Sequence, residues 1–291
     1  ECAGGPRALK YGTTKDYVLG LEVILPTGEI ISTGVITAKG VVGYDLTKLL
    51  VGSEGTLGII TKIILRLLPL PKSKRTLLAI FPTIDAAATT VSQIISSKII
   101  PATLEFMDNA CIRCVEDYLH MGLPVEAGAL LIIEVDGAPE ALSGEVEEIQ
   151  RICQANQAIE IKAAKDNQEA EDLWRARRAV STAVVKINPT KVNEDIAVPR
   201  SKVPEILRRV EAIGKKHNLI IVNFGHAGDG NIHVNILIDK RRPGEEERAH
   251  AAVKEIFAAT LELGGTLSGE HGIGITKAPY ISMELGDMGL E

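Results

Sequence analysis

Between residues 77 and 224 the chain passes three times from an apolar, strand-like run to a helical pattern and back to a strand. The first unit is 77–81, 84–97 and 102–106. The second is 129–135, 139–156 and 159–163, and the third is 195–198, 202–217 and 219–224. A sheet that buries an apolar side needs helices laid on it, so the alternation predicts a layered domain. We expect an α+β fold with antiparallel pairing and helices on one face of the sheet. A last helix is expected over 244–263, rich in Glu and Ala. Only 3% of the residues are aromatic in a chain that is 45% hydrophobic, so Ile, Leu, Val and Ala must build the core.

The first 70 residues read differently. Residues 1–16 are glycine-rich and expected to be irregular. Residues 17–32 form a hairpin, with a strand over 18–25, a turn over 26–29 and a return strand from Ile30. A short helix over 45–50 starts at Asp45, a residue suited to the N-cap. A glycine-punctuated turn over 51–58 leads into a β-rich run over 59–68. The charged, proline-containing stretch 69–75 is the expected domain boundary, dividing the chain into 1–70 and 71–291.

The formal net charge of -6 argues against a general nucleic-acid binder. Lys240, Arg241 and Arg242 read as a solvated loop. No apolar stretch reaches the ~18 residues of a membrane span. No signal peptide is evident, and four cysteines do not form a disulfide scaffold. The expected location is cytoplasmic, at most peripheral to the inner membrane. Cys111 and Cys114 form a CxxC, but their surroundings have helical apolar spacing and no second CxxC follows.

Two glycine-rich segments carry the chemistry. The first is GHAGDGNIHVN, residues 225–235, which follows a strongly apolar strand. The alternation after Ile232 sends His233 and Asn235 to one face of a strand, and a tight turn returns His226 beside them. The second is SGEHGIG, residues 268–274, with Glu270 and His271 adjacent. Two histidines and a carboxylate make an open metal site. The same residues also suit ordinary turns, and composition alone leaves the two readings level.

With these motifs the sequence resembles the FAD-linked oxidases of the vanillyl-alcohol-oxidase-like group, which act on glycolate, D-lactate and D-2-hydroxyglutarate. ECAGGPRALKYGTTKDYVLGLEVILPTGEII and GYDLTKLLVGSEGTLGIIT are similar to the second half of that family's flavin domain. The resemblance implies the second half of a VAO/PCMH-type FAD-binding domain followed by a ferredoxin-like α/β cap domain that holds the substrate. It implies that Ala3, Gly4, Gly5, Tyr11 and Gly12 line the flavin, with Gly52, Ser53, Glu54, Gly55, Gly58 and Ile60 running along it. Without the resemblance these glycines are only turn markers, and no GxGxxG supports a Rossmann site.

The resemblance further implies a divalent metal, Zn, Mn or Fe, on His226, His233 and Glu270. It makes His271 the catalytic base, Asn235 a substrate contact, and Arg177, in a W-x-x-R motif, the clamp on the substrate carboxylate. Lys191 is a second cation for that carboxylate. Read without it, Arg177 and Lys191 are solvated charges. The implied reaction takes a small 2-hydroxy acid to its 2-oxo acid, with hydride passing to flavin N5. An iron–sulfur or electron-transfer-flavoprotein subunit, or a second copy in a homodimer, is the implied partner. The family's phosphate-binding loop and C-terminal tail lie outside residues 1–291, so the chain is expected to be a piece. Residues 34–40 depart from the family's pattern. Rival readings are a metal-dependent hydrolase, a non-catalytic remnant and a relative of alkyl-ether-lipid synthases.

Overall fold

A computed structural model describes residues 2–291. The amino-terminal stretch is helical rather than irregular. A 3-10 turn over Gly5–Arg7 runs into α1 (Ala8–Tyr11), and α2 (Thr14–Tyr17) follows. Thr13 and Asp16 cap each other across the start of α2, which offsets the breaks that Gly12 and its neighbours introduce. Then come β1 (Val18–Ile24), β2 (Ile30–Gly34), α3 (Leu46–Leu50) and β3 (Ile59–Leu65), the strands pairing antiparallel in the order β2-β1-β3. Asp45 does cap α3, accepting from Lys48 N at 3.0 Å. Val18, Leu21, Val23, Leu50 and Val51 form a small core here, while β3 is exposed along its whole length.

The larger body has β4 (Ser73–Phe81), α4 (Ile84–Ser96), β5 (Thr103–Asp108), α5 (Asn109–Leu119), β6 (Ala129–Gly137), α6 (Pro139–Ala155), β7 (Glu160–Ala163) and α7 (Asn167–Ala183). It continues with β8 (Thr190–Ala197), α8 (Val203–His217), β9 (Ile220–His226), β10 (Asn231–Ile238), α9 (Glu245–Glu262), α10 (Gly274–Lys277) and α11 (Ser282–Leu290). The strands form one antiparallel sheet in the order β7-β4-β6-β5-β9-β10-β8. The elements β4-α4-β5, β6-α6-β7 give a ferredoxin-like unit with spatial order β7-β4-β6-β5. A second unit, β8-α8-β9-β10-α9, is its mirror in order. Its fourth strand is reduced to one bridge, Thr266 to Ala197 on the free side of β8. The two units join where β5 pairs with β9.

The expectation of helices on one face is overturned. Helices α4, α6, α8 and α9 pack on one side against Leu77, Phe81, Leu131, Ile133, Val234 and Ile236. Helices α5 and α7 cover the other, against Ile80, Met107, Leu130, Ile132, Val222 and Phe224. The reason is visible in β5 and β6, whose residues are buried at nearly every position rather than alternately, so both faces of the sheet need cover. Three smaller corrections follow. The boundary stretch is partly strand, since β4 starts at Ser73. The helix over 244–263 is not the last, because α10 and α11 follow. The 17-residue α7 carries Arg177 on its inner side. The CxxC lies in α5 with both thiols buried and free, as the helical spacing implied.

Candidate functional site

The site forms on the α5/α7 face, where the two units meet. Ile232, Val234 and Ile236 of β10 fill the opposite core, so His233 and Asn235 must point to this side. His226 follows Val222 and Phe224 at the same alternation on β9, and Glu105 is its direct partner across the β5–β9 pair. His226 Nδ1 donates to Glu105 Oε1 at 2.5 Å. That leaves His226 Nε2 free to face His233 Nε2 at 3.4 Å and Glu270 Oε2 at 3.4 Å.

Ligand atoms of His226, His233 and Glu270 all lie within 4.8 Å of one another. Atoms held about 2.1 Å from one ion at tetrahedral angles stand about 3.4 Å apart, so the donor set fits a small divalent cation. The charges agree. Burial opposes a proton on His226, but hydrogen bonds to Glu105 and Glu270 outweigh it and carry its pKa up to about 10. Burial, then the positive field of His226 and Arg177, pushes His233 down to about 3. Glu270 is pulled to about 2 against its burial by His226 and by the N–H groups of Gly5 and Gly4. The pocket thus keeps the Glu270 carboxylate negative and the His233 imidazole neutral, and its two carboxylates favour a positive charge at His226, a proton that an ion on Nε2 would replace.

His271 is 43% exposed and stacks on His233, with ring centroids 5.3 Å apart and 17° between planes. Its Nδ1 is 3.4 Å from Asn193 Nδ2. Asn235 is fully buried. Its Nδ2 donates to Val222 O and His233 O, while its Oδ1 has no partner among the described residues. Arg177 is not a solvated charge. It is largely enclosed, its side chain 12% exposed, with Nε and Nη2 each 2.6 Å from Glu105 Oε2 and its guanidinium 4.6 Å from the centre of the Phe224 ring. Lys191 shares the face of Asn193 and Asp195 on β8 but pairs across to Leu237, about 13 Å along the strand from the His233 row. Burial lowers its pKa.

The residues expected along a flavin gather on the same side. Gly52, Ser53 and Glu54 share a cavity of about 560 Å³ with Ser268, Gly269, Glu270 and Gly272. Gly55 and Ile60 line an adjoining cavity of about 460 Å³ with His271. Gly4 N and Gly5 N donate to Glu270 Oε1 at 3.2 and 2.5 Å, and Ala3 O accepts from Thr14. Glu54 accepts from Ile273 N and Gly274 N at 2.7 and 2.8 Å, tying the 51–58 turn to the second glycine loop. Gly272 sits at φ +78 where a Cβ would strike the Glu54 carboxylate, so this approach needs glycine. Tyr11 is committed elsewhere, its hydroxyl donating to Asp136 at 2.8 Å, and Gly12 ends α1. Gly58 precedes β3 at a point where a Cβ would strike Val23 and Ile24.

Sequence reasoning missed Glu105 and Asp195. Glu105 braces both His226 and Arg177. Asp195 accepts from Glu270 N at 2.5 Å and His271 N at 2.8 Å. For Glu105 the signal was a lone acid between Leu104 and Phe106, where an unpaired charge is too costly to keep, whereas Asp195 follows Asn193 and Glu194 and carries no such mark.

Residues 70–291 match the family described as FAD linked oxidases, C-terminal domain. The chain belongs to this family. It is 49% identical over 291 residues to glycolate oxidase subunit GlcD of Bacillus subtilis, which covers all of this chain and 62% of that protein. Over 277 residues it is 39% identical to the Escherichia coli K12 protein of the same name, covering 95% of this chain and 55% of the relative. A D-lactate dehydrogenase of Anaerostipes hadrus is 35% identical, with 98% and 62% covered. The chain therefore spans less than two thirds of the length of these relatives. Among solved structures, p-cresol methylhydroxylase superposes with a TM-score of 0.67 at 16% identity, over 86% of this chain and 56% of that one. Alkyldihydroxyacetonephosphate synthase gives 0.66 at 19% identity, over 91% and 51%. These similarities show the α+β fold of the flavoprotein family.

Proposed function

We propose that this chain carries the substrate and metal side of a flavin-dependent oxidase that takes a small 2-hydroxy acid, glycolate or D-lactate, to its 2-oxo acid. The observation that carries the reading is the convergence of His226 Nε2, His233 and Glu270 Oε2 beside the stacked, half-exposed ring of His271. The similarity to glycolate oxidase subunits and a D-lactate dehydrogenase supports the substrate class. Residues 1–70 are read as part of the flavin domain and 71–291 as the cap, and the exposed apolar strand β3 supports a larger flavin domain around it.

Gly4, Gly5, Gly52, Ser53, Glu54 and Gly55 would hold the flavin, and His226, His233 and Glu270 a Zn, Mn or Fe ion. When bound, the flavin supplies a hydride acceptor and the ion a Lewis acid for the hydroxyl. This chain's own residues do the rest. The donors of Arg177 not taken by Glu105 hold the substrate carboxylate, with Lys191 as a second cation. Asn235 Oδ1 offers a buried acceptor to the substrate. His271 Nε2 takes the hydroxyl proton, a task suited to an imidazole within hydrogen-bond reach of the substrate.

The relatives' name as subunits supports a partner protein, of iron–sulfur or electron-transfer-flavoprotein type, that receives the electrons. No helix is long and apolar enough to cross a membrane among the described residues. From the resemblance to the family we propose a cytoplasmic location, at most peripheral to the inner membrane. The test is a panel of D- and L-2-hydroxy acids with a dye acceptor, run on the FAD-loaded protein. Dye reduction by glycolate or D-lactate is expected. A flavin-bearing protein that reduces dye with none of them would overturn the reading.

A further inference from the structure

We propose that Asp195 is a positioning residue that sets where Glu270 and His271 stand, so that one loop delivers a metal ligand and a base together. The proposal rests on the reading of those two residues given above.

The loop needs such a device. The second ferredoxin-like unit ends in a single bridge at Thr266, and no strand or helix holds the chain again until α10 begins at Gly274. The intervening backbone lacks a ladder that would fix it. Asp195 stands directly across β8–β10 from His233, on the face of the site. Its Oδ2 accepts from the consecutive amides of Glu270 and His271, at 2.5 and 2.8 Å. Its Oδ1 accepts from Ser268 Oγ at 3.3 Å and from Lys277 Nζ, and its carbonyl accepts from Gly269 N at 2.8 Å. Lys277 Nζ also donates to Leu267 O at 2.9 Å.

Asp195 and Lys277 are both buried, at 0% and 3% exposure. A buried ion pair is a poor way to gain stability, because desolvation offsets most of the attraction. What it provides is a strong acceptor at a fixed point. With both amides bound there, the Glu270 carboxylate reaches His226 and the His271 ring lies on His233. A shift of the loop by an ångström would separate both at once.

The test compares Asp195→Ala and Asp195→Asn in this chain. The asparagine oxygen can still accept from the two amides, whereas alanine supplies nothing. Cobalt(II) binding is followed by its visible absorption, and amide hydrogen exchange is measured on the metal-free protein. In Asp195→Ala we expect cobalt affinity to fall about 10- to 100-fold, the usual scale for losing an outer-shell partner. The amides of Glu270 and His271 should lose protection while those of β10 keep theirs. Asp195→Asn should recover most of both effects even where its melting temperature stays below wild type. Wild-type cobalt affinity and wild-type protection of the two amides in Asp195→Ala would overturn the proposal. So would an asparagine variant as defective as alanine, with binding tracking melting temperature. If the wild-type chain takes up no cobalt, the ligand reading fails, and amide exchange alone decides the role of Asp195.

Discussion

Glu105 holds His226 by its Nδ1 at 2.5 Å and in doing so turns the Nε2 of that ring toward His233 and Glu270. The same carboxylate takes the guanidinium of Arg177 on its other oxygen. One buried acid therefore braces a ligand of the candidate metal and the residue read as the substrate clamp.

Substituting Glu105 should then strike both. In Glu105→Gln one acceptor remains for His226, and zinc or manganese affinity measured by calorimetry should fall about 10-fold or more. Glu105→Ala also strands the Arg177 charge, and urea unfolding should report a loss of about 3 kcal/mol or more. Unchanged metal affinity in both variants would remove Glu105 from the site.

His271 is half-exposed, and its side chain stacks on His233 and, among the described residues, hydrogen-bonds only to Asn193, so His271→Ala should shift the melting temperature little. Flavin reduction by a 2-hydroxy acid should slow by about 100-fold or more, the scale of a lost general base. Stopped-flow absorbance of the flavin measures it. Chelation should abolish the same reduction and lower the melting temperature of the wild type, since a ligand of the folded state alone stabilises it. A chelated, metal-free protein at full rate would exclude the ion from the reaction.

The sheet was legible in the sequence because its three β-α-β passages keep the two periods distinct. The fourth passage, from β10 through α9 to Thr266, was hidden because its final strand is a single bridge with no apolar run to mark it. The burial of both sheet faces was hidden too, since uninterrupted apolar runs such as 129–133 fit a one-sided or a two-sided sheet equally. His226, His233 and Glu270 could be grouped only because glycines flag both loops. Their braces carry no such flag. Glu105 and Asp195 act through atoms 121 and 75 residues away along the chain, a relation that the β5–β9 pairing and the Ala197–Thr266 bridge create. Arg177 was misread as solvated when taken without family resemblance, because α7 is polar on most of its surface and its inner side is narrow.

Tyr11 joins the amino-terminal segment to the cap sheet, and its removal should be felt as stability. Its hydroxyl donates to Asp136, which Lys10 also grips. Burial, then Asp136, pushes the Tyr11 pKa up to about 12, so the phenol stays a donor throughout the working pH range. Tyr11→Phe should cost about 1–3 kcal/mol in urea unfolding, the worth of a hydrogen bond to a charged group. A double-mutant cycle with Asp136→Asn should assign most of that loss to the pair. Additive effects of the two substitutions would mean that the contact contributes nothing.

Asp108 gives the fold a pH dependence of known sign. It caps α5 by accepting from Cys111 N at 2.7 Å and also accepts from Asn223 N at 2.7 Å and Asn223 Nδ2 at 3.0 Å. Burial nevertheless outweighs these bonds and pushes its pKa from 3.8 to about 6. A carboxyl group raised on folding binds its proton more tightly in the native state than in the unfolded chain. Its contribution to stability is therefore full below pH 3.8 and is lost as the pH rises through about 6, by on the order of 3 kcal/mol in total. Asp108→Asn cannot ionise and lacks this term, although it gives up one of the accepted bonds. Urea unfolding of both proteins at half-unit steps from pH 4 to 7 should show the wild type losing ground to the variant across that interval, then running parallel to it. Profiles that stay parallel from pH 4 upward would show that Asp108 is ionised in the folded protein at no cost.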